Sequence, residues 1–153
     1  MRTSPGCIRG MRTPQPASKR RGPQGEEANM SAQGKAVHYR WEDQPSEAMK
    51  GTITRRIISS ERIMFGEVRF RKGDTVPKHA HENEQFTYVV SGTLRFWLGE
   101  DGAQQVDVNA GEVLVIPSNL PHSAEAIEDV VEFDIFNPPR QDWLDKSDAY
   151  LRG

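Results

Sequence analysis

The chain has 153 residues and a formal net charge of −2 at pH 7, which suits one domain with a hydrophobic core. Its charge is unevenly divided: residues 1–34 carry six basic and two acidic side chains, a net of +4, which leaves −6 for the rest. A mildly acidic body lacks the basic footprint of a nucleic-acid-binding protein. Cys7 is the only cysteine, so a disulfide framework and a thiolate zinc site are excluded as well.

The N-terminal residues 1–34 are rich in Arg, Pro, Gly, Ser and Gln and contain almost no large apolar side chains. Such a segment cannot bury enough surface to offset the entropy lost on ordering. We therefore predict a disordered basic extension, followed by one domain over residues 35–153. No apolar run approaches the roughly 18–20 residues of a membrane helix, and none has the apolar core of a secretory signal. The sequence predicts a soluble, cytoplasmic protein that does not contact membranes.

Short strand patterns, separated by turn residues, follow from Val37 onward. The segments are β-branched or alternating, glycines punctuate them, and Asp101-Gly102 has the composition of a hairpin turn. Strands this short and this regularly spaced predict an all-β sandwich or barrel. Only the stretch from Gln141 to Leu151 looks helical. The predicted strands cover residues 52–58, 62–71, 85–91, 93–98, 106–108, 113–116, 123–127 and 130–136.

Three of the four histidines fall in two compact segments. His79 and His81 are two residues apart, which in a strand places both side chains on one face. Gln85 follows on the same parity at the start of the next strand, and His122 comes after a strand and a Pro-bounded turn. Imidazole nitrogens and an amide oxygen suit a divalent transition metal. The spacing therefore predicts one metal site that is formed by these four side chains.

Both histidine segments resemble the two motifs of the cupin superfamily. The first motif is Gly, five residues, His-x-His, three or four residues, Glu or Gln, six residues and Gly, and the stretch from Gly73 to Gly92 matches it throughout. The second is Gly, five residues, Pro-x-Gly, two residues and His, and the stretch from Gly111 to His122 departs from it at Asn119. Asn tolerates the left-handed backbone conformation better than most residues. The resemblance implies a single antiparallel, jelly-roll type cupin β-barrel, a metal ion near one mouth, and a homodimer.

The neutral side chain of Gln85 bears on the chemistry of this site. Oxygen-activating enzymes often use two histidines and one carboxylate, whereas four neutral ligands leave the ion its full double charge. That favours an anionic substrate and a Lewis-acid role. We expect one divalent transition metal ion, which could be Ni, Zn, Mn, Fe or Co. Glu82 and Glu84 lie nearby at positions that alternate with His79, His81 and Gln85. We therefore expect their side chains to point away from the metal and to be solvated.

The last predicted strand has two different faces. Val131, Phe133 and Ile135 form one of them, and Glu132, Asp134 and Phe136 form the other. A face that mixes carboxylates with an aromatic ring is either solvated or lines a pocket. The pattern by itself favours the solvated alternative.

The run Asp134-Ile135-Phe136-Asn137-Pro138-Pro139-Arg140, with an Asp and an aromatic after it, resembles the end of the KdgF cupins of pectin and alginate breakdown. The segment Trp41-Glu42-Asp43 resembles an early segment of the same proteins. The resemblance implies ring opening and ketonisation of 4,5-unsaturated uronates, which are small carboxylate substrates, to linear keto sugars. It also implies that Asp134 moves a proton between oxygen and carbon, that Arg140 holds the substrate carboxylate, ideally as a bidentate pair, and that Phe136 shapes the pocket.

Two alternatives stay open. One is another metal-dependent cupin enzyme, such as a dioxygenase or a lyase. Cupin lyases that act on dimethylsulfoniopropionate place a Tyr where this chain has Thr87, which counts against that lyase. The other is a non-catalytic cupin that binds a sugar or small ligand and uses its metal structurally, in which case no coordination position would stay open for a substrate.

Overall fold

A computed structural model describes residues 35–152, and these residues form two antiparallel sheets. The larger sheet has the strand order β1-β2-β3-β10-β5-β8, and the smaller has the order β4-β9-β6-β7. The predicted all-β, antiparallel architecture is therefore confirmed. The strands are β1 (Glu47–Ala48), β2 (Thr54–Ser59), β3 (Met64–Phe70), β4 (Thr75–His79), β5 (Glu84–Ser91), β6 (Thr93–Leu98), β7 (Gln104–Asn109), β8 (Val113–Ile116), β9 (His122–Ala126) and β10 (Val130–Asn137).

The C-terminal stretch departs from the single helix predicted over residues 141–151. It forms two short helices, α1 (Gln141–Leu144) and α2 (Ala149–Arg152). Between them Lys146 has a φ of 63°, and a residue in the left-handed conformation ends a helix. The break matters for the site because it allows α2 to pack against β4.

The core lies between the inner faces of the two sheets, where apolar side chains alternate with outward-facing ones along each strand. Trp143 of α1 joins this core beside Gly66 of β3, where an added Cβ would lie 2.9 Å from its ring. The buried apolar side chains are Met49, Ile53, Met64, Val68, Phe70, Val89, Leu94, Phe96, Leu98, Val108, Ile116, Ala124, Ala126, Val130, Phe136, Trp143 and Leu151.

The two faces of β10 point in the directions opposite to those that its sequence pattern favoured. The polar face points inward: Glu132 is 3%, Asp134 5% and Phe136 1% exposed. The apolar face points outward, and Phe133 is covered there by the ring of Trp41 at a centroid distance of 5.4 Å. The solvated alternative is therefore wrong, because these side chains line a cavity inside the barrel and the ring of Trp41 covers part of the outer face.

The C-terminal segment is anchored across one side of the barrel. Asp148 is buried between Arg55, whose Nη1 donates to it at 2.8 Å, and Arg152, whose Nε donates at 2.5 Å. The backbone of Lys50 donates to the carbonyl of Leu151 at 2.7 Å. These contacts hold α2 in place beside the mouth of the barrel.

Residues 35–152 contain no helix that is long and apolar enough to cross a membrane. The predicted basic extension, residues 1–34, lies outside the described residues. The expectation that it is disordered stays a prediction, as does the homodimer.

Candidate metal centre

Three histidines converge at one mouth of the barrel. His79 ends β4 and is paired in register with His122, which begins β9. His81 lies beyond the end of β4, in the connection to β5, so the strand alternation expected for His79 and His81 does not extend to it. The connection nevertheless returns its ring to the same place. One ligand atom from each of the three imidazoles lies within 4.8 Å of the other two.

Each of these rings is oriented by a backbone carbonyl. The Nδ1 atom of His79 lies 2.9 Å from the carbonyl oxygen of Pro77, that of His81 2.9 Å from Asn83, and that of His122 2.8 Å from Leu120. A carbonyl oxygen can only accept, so Nδ1 carries the proton in each ring. The lone pair is then on Nε2, and this arrangement orients histidines that bind metal ions.

The protonation state of the three rings also suits a metal ion. Burial lowers the pKa of His79 to about 3 and that of His81 to about 4, and it lowers the pKa of His122 as well. The rings are therefore neutral near pH 7, which is the form that binds metals. The Nε2 atom of His122 is buried and has no hydrogen-bond partner within residues 35–152. A divalent ion at this point would satisfy it, so the residues present fit the predicted group.

Gln85 lies on β5, and two hydrogen bonds hold its side-chain amide in one orientation. Its Nε2 donates to Thr87 Oγ1 at 2.8 Å and to Asp134 Oδ1 at 2.9 Å. Its Oε1 consequently lies on the histidine side, 3.1 Å from His81 Nε2. Two ligand atoms that bind an ion at about 2.1 Å and at right angles are about 3 Å apart. This separation matches the predicted role of Gln85 as the fourth ligand.

Asp134 is buried next to this amide. Its Oδ1 accepts the hydroxyl proton of Thr87 at 2.5 Å in addition to the bond from Gln85, while its Oδ2 has no hydrogen bond within the described residues. Burial raises the pKa of Asp134 to about 6, against the opposite effect of the two hydrogen bonds. A carboxyl group with a pKa near neutrality can both accept and donate a proton at physiological pH.

Arg140 is buried at the same mouth, but its guanidinium is already partly engaged. Nε and Nη2 donate to Asp142 at 2.8 and 2.6 Å, and Nη2 also donates to the hydroxyl of Tyr150 at 2.9 Å. Asp142 thus occupies the Nε–Nη2 edge, and the bond to Tyr150 leaves only Nη1 open on the Nη1–Nη2 edge. The bidentate pair that the resemblance implies is therefore not available, and Nη1 is the donor of Arg140 that has no partner within residues 35–152.

One cavity of about 40 Å³ brings these groups together. Phe136 forms part of its wall, 5.6 Å from the His81 ring and 4.9 Å from the Trp143 ring between centroids. The predicted site residues that line the cavity are His79, Gln85, His122, Asp134, Phe136 and Arg140. His81 is the only predicted site residue that does not line it.

The sequence patterns did not identify two residues that belong to this site. Thr87 accepts a hydrogen bond from Gln85 and donates one to Asp134. Its position two residues after Gln85 on β5, which places both side chains on one face, is the signal that could have identified it. Tyr150 stacks on the ring of His79 at a centroid distance of 4.2 Å and an interplanar angle of 20°. No local pattern marks Tyr150, since its position depends on how α2 docks on the barrel.

Comparison with known proteins supports a cupin type of domain. A family model described as a cupin domain matches residues 66–136. The structure of KdgF from Halomonas sp. is similar, with 26% sequence identity and a TM-score of 0.65, over 71% of this chain and 99% of that one. An RmlC-like cupin from Shewanella frigidimarina NCIMB 400 is also similar, with 26% identity and a TM-score of 0.64, over 71% of this chain and 96% of that one.

A curated protein matches part of the chain as well. Oxalate decarboxylase OxdC of Bacillus subtilis (strain 168) is 28% identical over 81 residues, which are 52% of this chain and 21% of OxdC. The chain therefore spans about a fifth of the length of that relative. The matched region of OxdC supports the domain type and does not carry over the activity of the whole enzyme.

Proposed function

The chain carries a cupin domain and is similar in fold to KdgF, and on this basis we propose that it is a metal-dependent enzyme. We propose further that it opens and ketonises 4,5-unsaturated uronates to linear keto sugars. The observation that carries the proposal is the position of Asp134. A buried carboxyl with a pKa of about 6 is hydrogen-bonded to the same amide whose oxygen lies beside His81.

The reaction consumes no oxidant or reductant. The ring opens when the C1–O5 bond breaks and the C1 hydroxyl loses its proton, which leaves an aldehyde at C1 and, once O5 takes up a proton, an enol at C5. The enol becomes a ketone when C4 gains a proton and the enol oxygen loses one. Each step moves a proton to or from an oxygen or C4, so one carboxyl that both accepts and donates is sufficient.

Three residues of this chain have different roles in the proposed reaction. Arg140 Nη1 binds the substrate carboxylate, since it is the guanidinium donor that stays open. Asp134 Oδ2 takes and returns the proton, since Oδ1 is held by Thr87 and Gln85. Phe136 closes the pocket wall and excludes water from the reacting atoms. A bound divalent ion would supply Lewis-acid polarisation of the substrate oxygens.

The direct test is an assay on metal-loaded protein with an unsaturated monouronate. We expect the conjugated ultraviolet absorbance to disappear much faster than without protein, and nuclear magnetic resonance to identify the linear keto sugar. Metal-free protein is the control and should give no more than the uncatalysed rate. Failure of the fully metallated protein to accelerate the loss would remove this function. Uptake of dioxygen would indicate an oxygenase instead, and binding of the uronate without conversion would indicate a non-catalytic cupin.

A further inference from the structure

The guanidinium of Arg140 cannot hold a carboxylate by itself in the usual two-point manner. Bidentate binding requires two parallel N–H donors on one edge. Asp142 occupies the edge that contains Nε and Nη2, and the second N–H of Nη2, on the Nη1–Nη2 edge, donates to Tyr150. Only Nη1 is open within the described residues. A substrate carboxylate bound there would keep one oxygen without a donor, and an unpaired charged oxygen in a buried site is costly.

The hydroxyl of Tyr150 offers a second donor beside Nη1. It accepts a hydrogen bond from Arg140 Nη2 at 2.9 Å, and no group within residues 35–152 accepts the hydroxyl proton in return. A phenol keeps that proton at neutral pH. Because Nη1 and Nη2 are bonded to the same carbon, the open N–H groups of Arg140 and the open O–H of Tyr150 are neighbours. Both residues line the cavity.

Tyr150 is also held in place from two sides. Its ring stacks on the imidazole of His79 at 4.2 Å between centroids. Two residues close to it in sequence are buried: Asp148 is paired with Arg55 at 2.8 Å, and Leu151 packs in the core. A donor on a fixed element loses little entropy when a ligand binds.

We propose that Tyr150 and Arg140 Nη1 form one two-point site for a carboxylate, and that Tyr150 determines specificity for acidic over neutral sugars. The inference rests on the proposed function only in taking a uronate as the ligand. One carboxylate oxygen binds Nη1 and the other accepts the Tyr150 hydroxyl proton. A neutral sugar with a hydroxymethyl group in place of the carboxylate provides one oxygen instead of two and no charge.

The test compares the affinities of two ligands that the protein cannot ketonise. Calorimetry on metal-loaded protein measures binding of a saturated monouronate, which has no C4–C5 double bond, and of the corresponding neutral hexose. Tyr150→Phe removes the hydroxyl and keeps the ring on His79. Tyr88→Phe is the matched control, because Tyr88 is an exposed tyrosine on β5. Metal content is measured for each protein.

We expect Tyr150→Phe to weaken uronate binding by about tenfold or more, the usual effect of losing a hydrogen bond to a charged group. Binding of the neutral hexose and metal content should stay unchanged, and Tyr88→Phe should behave as the wild type. The deciding quantity is the ratio of the two affinities, so general loosening of the site cannot imitate the effect. An unchanged ratio, or no uronate binding by the wild type, overturns the inference.

The ketonisation assay separates this inference from the proposed function. If the unsaturated uronate is converted but the affinity ratio is unaffected by Tyr150→Phe, the carboxylate site is wrong and the proposed function stands. If nothing is converted but the ratio falls with Tyr150→Phe, the carboxylate site stands and the enzymatic function fails.

Discussion

The amide of Gln85 connects the metal centre to Asp134. Its Nε2 donates to Asp134 Oδ1 at 2.9 Å, and its Oε1 lies 3.1 Å from Nε2 of His81. One side chain thus orients the carboxyl that would move the proton and also offers a fourth ligand atom. A carboxylate at the same position could bind the ion but could not donate to Asp134, and this difference makes position 85 a sharp test of the mechanism.

The first prediction concerns Gln85→Glu. We expect the metal to be retained, because a carboxylate oxygen is also a ligand. The new negative charge beside Asp134 should raise its pKa further above about 6, since a like charge disfavours ionisation. The limb of the pH dependence of kcat/KM that requires ionised Asp134 should therefore move to higher pH. Glu84→Gln, an exposed neighbour on β5, should leave that profile unchanged, and an unchanged profile in Gln85→Glu would contradict the predicted coupling.

The second prediction concerns Asp134→Asn. An amide keeps the shape of the side chain but cannot exchange a proton, so turnover should fall by about 10²–10⁴-fold. Metal content and affinity for a saturated uronate should stay near the wild-type values, since the metal ligands and Arg140 are untouched. Rate measurements under substrate saturation, together with metal analysis, check this. Turnover at the wild-type level would rule out the proposed role of Asp134.

The third prediction concerns acid stability of the metal-free protein. The pKa of His79 is lowered to about 3 in the folded chain, against about 6.5 for an ordinary histidine. As the pH falls below 6.5, only the unfolded chain takes up this proton, so folding stability is lost between pH 6.5 and about 3. Lowering the pH from 7 to 4.5 should therefore cost the wild type about 2–3 kcal/mol more than His79→Asn.

Urea unfolding of both metal-free proteins at the two pH values measures this difference. The raised pKa of Asp134 acts in the opposite direction, but it is common to both proteins and cancels in the comparison. His38→Asn is the matched control, because His38 is exposed and lies far in sequence from the three histidines of the metal centre. Equal acid sensitivity of the wild type and His79→Asn would show that burial does not hold His79 neutral.

The fourth prediction concerns the anchor of the C-terminal segment. Asp148→Asn leaves Arg55 buried with one ionic partner fewer, and breaking a buried ion pair typically costs about 3 kcal/mol or more. Asp107→Asn breaks the exposed pair with Arg95, which lies at 2.6 Å, and should change stability little. Denaturant unfolding of both variants checks the contrast. Similar losses in the two variants would show that the burial of Asp148 does not determine its contribution.

Much of the architecture could be predicted because it depends on local signals. Period-two alternation and turn residues placed each predicted strand within two residues of the observed bounds. Asn119 has a φ of 62°, as expected for a residue that stands where Gly is usual. Gly92 has a φ of 81°, a conformation that glycine adopts without a steric penalty. At these positions the residue type by itself explains the backbone conformation.

The amino-acid sequence by itself determined eight of the ten strands and the motif that contains the three histidines, because strand periodicity and turn geometry act over a few residues. It did not indicate β1 or the bounds of β4, and the connection after β4 places His81. Only the tertiary structure decided that Asp134 is buried, that Asp142 occupies one edge of Arg140, and that Tyr150 covers His79. Those facts depend on contacts between distant strands and on the docking of α2. Burial and pairing of charges are properties of the packed barrel, and no local pattern contains them.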